Sequence, residues 1–102
     1  MDRDALEARW LDLTRREMPA AAGSHGWPVR FDHCFQRILL DNAVGGVWYD
    51  VIPKRPAYAH APDDVLNRAV ALGEAALAGQ ADLRVLNRRS LDWRGKGGPR
   101  NA

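Results

Sequence analysis

The run from Pro62 to Gly79 constrains this chain more than any other feature. Pro62-Asp63-Asp64 opens it, because proline suits the first helical position and two carboxylates suit the exposed amide end of a helix. Val65, Leu66, Ala69, Val70, Leu72, Ala76 and Leu77 then form one apolar face, and Gly79 supplies a stop. A helix with that face needs a core to bury it against.

The rest of the chain offers partners of the same kind. Between Asp2 and Met18, Leu6, Trp10 and Leu13 share a helical face. Asp2, Asp4 and Glu7 at its start and Arg15 and Arg16 near its end complement the helix dipole. Pro19 is expected to stop this helix, leaving Ala20 to Pro28 as a loop with Trp27 tucked back onto the core. Asp82 can cap a last helix in which Leu83, Leu86, Ser90 and Trp93 share a face. The short link from Gly79 predicts an antiparallel helix hairpin.

The middle segment has two readings. Phe31, Cys34, Phe35, Ile38, Leu39 and Ala43 keep a helical period, with Asp32 able to cap the start and Gly45-Gly46 able to end it. The alternative is a β-hairpin pairing Cys34 to Leu40 with Val47 to Ile52. Helix is preferred, followed by one more helical turn over Val47 to Ile52. Lys54 to Ala61 then reads as an extended surface connector anchored by Tyr58. The expected fold is all-α: a small bundle of about four helices over residues 1–94, ending in the helix hairpin. Residues 95–102 read as a disordered basic tail.

Composition narrows the class. A chain of 102 residues with 46% apolar and 27% charged residues suits one globular core. The longest apolar stretch, Ala69 to Ala78, is too short to span a bilayer and contains Glu74, so no membrane partner is expected. The acidic N-terminus lacks a signal-peptide pattern, and the single Cys34 fits a reducing compartment; both point to the cytoplasm. Charge is uneven. From Arg84 onward six basic residues face Asp92 alone, giving +5, and since the whole chain carries +2, residues 1–83 carry −3.

Few residues invite a chemical reading. His33 beside Cys34 cannot close on one ion from adjacent helical positions, and no second cysteine exists, so no metal site is expected and Cys34 reads as a buried thiol. Gly45-Gly46 and Gly95-Lys96-Gly97-Gly98 lack the following helix that a phosphate-binding loop requires. Arg37 and Asp41, four apart, suit a surface ion pair. The functional reading is a polar pocket of Arg37, Asp41 and Asn42 beside Trp48 and Tyr49, suited to a small anion or amide. Arg84, Arg88, Arg89, Trp93, Arg94 and Lys96 form a basic surface with one tryptophan suited to an interface.

Four blocks carry a resemblance: Trp27 to Arg30, Asp32 to Asn42, Gly45 to Asp50, and Leu86 to Lys96. In these the chain resembles a group of small bacterial proteins labelled GCN5-related N-acetyltransferase. Membership of that superfamily would imply a mixed sheet and helix fold and an acetyl-CoA loop of the form Gln/Arg-x-x-Gly-x-Gly/Ala. Here only Arg94 and Gly97 match the loop's first half, so neither catalysis nor a cofactor follows from the label.

The sequence therefore points to a noncatalytic helical protein that binds another macromolecule, a protein partner or a second copy of itself. The alternatives are nucleic-acid binding through the basic last helix and tail, and an acyltransferase.

Overall fold

In the computed structural model, residues 2–95 are described, and every regular element among them is helical. The middle segment is helix, so neither the alternative hairpin nor the sheet of an acetyltransferase occurs among the described residues. Lys96 and the rest of the tail, residues 97–102, lie outside the described residues.

Helix α1 (Arg3–Asp12) starts at Asp2, whose carboxylate accepts the Ala5 N–H at 2.8 Å. Pro19 does not end it. A π turn (Leu13–Glu17) leads directly into α2 (Met18–His25), which stops at Gly26 in the left-handed conformation. The physical reason lies in the π turn: Met18 N–H bonds the Leu13 carbonyl five residues back. A widened turn just before proline moves the preceding carbonyls away from its ring, and Pro19 then sits in the first turn of α2. The expected loop from Ala20 is thus mostly helix. Trp27 does fold back, packing edge-on against Phe35 at 5.6 Å between ring centroids.

Helix α3 (Asp32–Val44) buries Phe35, Ile38, Leu39, Leu40 and Ala43 and ends at Gly45, with φ +77°. Phe31 rather than Asp32 occupies its cap position, and Asp32 instead accepts its neighbour's N–H, that of His33. Cys34 is half-buried, not enclosed. Trp48–Asp50 form a 3₁₀ turn, as expected of the apolar run there. The connector that follows is not wholly extended: α4 (Ala57–His60) is a single helical turn within it.

Helix α5 (Asp63–Leu77) places its apolar face on α3 and on the first helix, with Pro62 one position earlier than expected, at the cap. Helix α6 (Leu83–Trp93) is capped by Asp82, which accepts the Arg84 N–H at 2.9 Å. The link to α5 is short, yet α6 packs chiefly on α3. α3 is thus the central element, covered by α5 and by α6.

One apolar cluster joins all the longer helices, from Leu6 and Trp10 through Phe35, Leu39 and Leu66 to Leu83 and Leu86. Ion pairs tie its edges. Arg3 bonds Asp63 at 2.6 Å and the Tyr58 carbonyl at 2.8 Å, and Arg9 bonds Glu17 and Glu74. Arg68 of α5 donates to the Ala43 carbonyl at 3.1 Å, satisfying one of the orphan acceptors at the end of α3. No helix among the described residues is long and apolar enough to cross a membrane.

Gly73 marks where α5 approaches most closely. A Cβ there would lie 2.5 Å from Leu13 Cδ2 and 3.0 Å from Leu39 Cδ1, and both leucines are fully buried. Gly73→Ala should gain about 1 kcal/mol in helix propensity and lose more to overpacking, which costs about 1–3 kcal/mol. The expected net loss is about 1 kcal/mol by urea denaturation. Gly23→Ala, where nothing lies within 4 Å of the added Cβ, should be stabilising by about 0.5 kcal/mol.

Candidate functional site

α3 carries three of the residues that the sequence singles out, Arg37, Asp41 and Asn42, and the structure gives them different partners. Asp41 is fully buried. It does not pair with Arg37. Its Oδ2 accepts the Ser90 hydroxyl at 2.6 Å and Arg94 Nε at 2.7 Å, while its Oδ1 accepts Arg94 Nη2 at 3.0 Å and the Trp48 backbone N–H at 2.9 Å. A bidentate Arg–carboxylate pair is the strongest geometry for such a contact. One carboxylate thereby joins α3, the 3₁₀ turn and the end of α6. An ion pair between Arg37 and Asp41 fails because Asp41 points inward, where four donors from other elements converge on it.

Arg37 instead donates to Ser90 Oγ at 2.7 Å and Asn87 Oδ1 at 3.0 Å. Asn42 donates to the carbonyls of Ile38 and Leu86, both at 2.8 Å. The Arg94 guanidinium lies 5.3 Å above the centroid of the Tyr49 ring. Hydrogen bonding to Asp41 holds Arg94 above the usual arginine pKa, against the opposing effect of burial. The sign is that of a raised folded-state value: its stabilisation is complete below the ordinary arginine pKa and is lost only at still more alkaline pH.

Of the residues expected to line a pocket, Arg37 and Trp48 also border a cleft, while Asp41 and Asn42 act within the protein. Arg37, Asp41 and Asn42 fasten α6 to α3, Trp48 joins them through its backbone, and Tyr49 supports Arg94. The basic surface is altered for the same reason. Arg94 is withdrawn into the pair with Asp41, and Arg84 donates to the Gly26 carbonyl. Arg88 and Arg89 are exposed, as is Trp93. Lys96 lies outside the described residues.

Two features of the surface were visible in the sequence only in part, through Trp93 as an interface residue and through Arg37 and Trp48 as pocket residues. The first is apolar: Tyr49, Val51 and Trp93 remain 50%, 53% and 40% exposed, Tyr49 in contact with the Arg94 guanidinium and Trp93 next to Arg94 in the chain. The second is a cleft of about 290 Å³ formed by the first helix, α3, the 3₁₀ turn and the segment before α4. Arg15, Arg37, Arg55, Trp10, Trp48 and Tyr58 are among its walls. Its residues come from four separated stretches of chain, which is why no local pattern announces it.

No group of three or more His, Cys, Asp or Glu side chains suited to a metal ion occurs among the described residues. Compared with protein-family models, curated proteins and solved structures, the chain has no match.

Proposed function

We propose that this is a noncatalytic helical binding protein whose partner is another protein, engaged through the surface around Tyr49, Val51 and Trp93. The observation that carries this reading is the contrast at the junction of α3 and α6. The polar groups there are spent on intramolecular bonds, while large apolar side chains beside them stay exposed. Tyrosine and tryptophan are the residues that contribute most at protein interfaces, because they bury large area at little entropic cost. Arg88 and Arg89 lie on the same last helix and suit a polar rim.

The test is capture from native lysate with the intact chain, with Tyr49→Ser/Trp93→Ser, and with a version ending at Arg94, each washed at low and high salt. A protein retained at high salt by the intact and truncated chains, and lost from the double variant, supports the reading. Nucleic acid retained only at low salt, and lost with the tail, would replace it with the electrostatic alternative. A thermal shift with acetyl-CoA would instead favour an acyltransferase.

A further inference from the structure

The cleft beside α3 gathers more positive charge than the fold's own contacts use. Three arginines line it, Arg15 from the π turn, Arg37 from α3 and Arg55 from the segment before α4, and no carboxylate lines it. Arg37 is half-buried, and both its bonded groups, Ser90 Oγ and Asn87 Oδ1, are neutral acceptors. Asp41 is already matched by Arg94, so the network of Asp41, Arg94 and Arg37 carries an unbalanced positive charge. Neither Arg15 nor Arg55 has an acidic partner among the described residues; the Arg55 guanidinium rests 5.3 Å from the Trp48 ring centroid. Like charges gathered around a concave, partly desolvated space repel one another and raise the local potential for an anion.

The remaining walls are flat and apolar. Trp48 and Tyr58 offer ring surface above the buried Trp10, and Gln36, held by its 3.0 Å bond to Thr14 Oγ1, adds a fixed amide. Apolar walls with a few convergent polar groups are the usual makeup of a small-ligand site. The volume admits one ring with a short substituent. We propose that this cleft binds a small organic oxyanion carried on a flat ring: the oxyanion meets the guanidinium groups, and the ring lies against the indole and phenol walls. This site adjoins the apolar surface around Tyr49 and Trp93, because the Trp48 ring packs edge-on against Tyr49 at 5.5 Å, but it shares no residue with that surface.

The probes are benzoate and phenyl phosphate, with benzamide as the uncharged counterpart, titrated into the full chain while the indole N–H resonances of all four tryptophans are followed. The expected result is a saturable shift at Trp10 and Trp48 with Trp93 unmoved, and binding of benzamide roughly tenfold weaker or less. A preference for benzoate or for phenyl phosphate identifies the oxyanion as carboxylate or phosphate, and either supports the proposal. Arg15→Gln and Arg55→Gln should each weaken binding roughly tenfold. Arg15 is exposed and bonds no other described residue, so Arg15→Gln should keep the resonances in place; Arg55→Gln also removes the cation from the Trp48 ring and should shift that indole alone in the free protein. Equal shifts with benzamide, no saturable shift with either anion, or unchanged affinity in both well-folded variants would overturn it.

Discussion

Replacing Asp41 with asparagine should destabilise the protein by about 3 kcal/mol, lowering the melting temperature by roughly 10–20 °C. The side chain is wholly enclosed, and its two oxygens accept four hydrogen bonds from three residues in two separate parts of the chain. An amide keeps the shape but loses the charge and turns one acceptor into a donor, which in either orientation faces an Arg94 N–H, together with the Ser90 hydroxyl or the Trp48 N–H. Arg94 is then a mostly buried cation without its counterion. Removing one partner of such a pair costs more than the pair itself contributes, because the survivor stays desolvated. The loss should fall on the end of α6 and the 3₁₀ turn first. Amide hydrogen exchange in the variant should therefore accelerate at Trp48, Ser90 and Arg94 more than in α5.

Phe35→Ala should cost about 3–5 kcal/mol, the range for a fully enclosed aromatic ring reduced to a methyl group. Phe35 is fully buried at the start of α3, and Trp27 packs edge-on against it. Trp27 in turn stacks on His25 at 4.5 Å. Truncation thus opens a void and also loosens the loop between α2 and α3, which Trp27 helps to hold on the core. Phe35→Leu, which retains most of the volume, should lose far less. Equilibrium unfolding in urea, followed by tryptophan fluorescence, reports both effects; a loss under 1 kcal/mol for Phe35→Ala would show that the ring is not a core element.

These two sites show what a sequence of this kind discloses. Phe35, Ile38 and Leu39 announce themselves by helical period, and the enclosed positions of α5 follow from the stripe of Val65, Leu66, Ala69 and Val70. The cap at Asp82 and the stops at Gly45 and Gly79 are local chemistry, visible one turn at a time, although the same reasoning places a cap at Asp32 where Phe31 stands instead. Pro19 misleads because its usual effect assumes an ordinary α-turn before it, and a π turn is not encoded by any short pattern.

Polar geometry is less legible for a related reason. Spacing places Arg37 and Asp41 on one stretch of helix surface, but only packing reveals that α6 covers Asp41 there. Ser90 and Arg94 lie about fifty residues downstream, and nothing local to either says that they meet it. Ser90 read as a face residue of its helix, and Arg94 as the start of a basic tail. The cleft has the same origin, with Arg15, Arg37 and Arg55 brought together from separate elements.

The central claim is that the polar cluster between α3 and α6 is a fastening, which leaves binding to the surfaces beside it. A double-mutant cycle of Asp41→Asn and Arg94→Met, measured by urea denaturation, tests it most directly. The account predicts that the two losses are strongly nonadditive, with a coupling energy of about 2 kcal/mol, because each residue's contribution passes through the other. Additive losses, or single losses too small to measure, would contradict it and return Asp41 and Arg94 to the solvent-facing roles that the sequence first suggests.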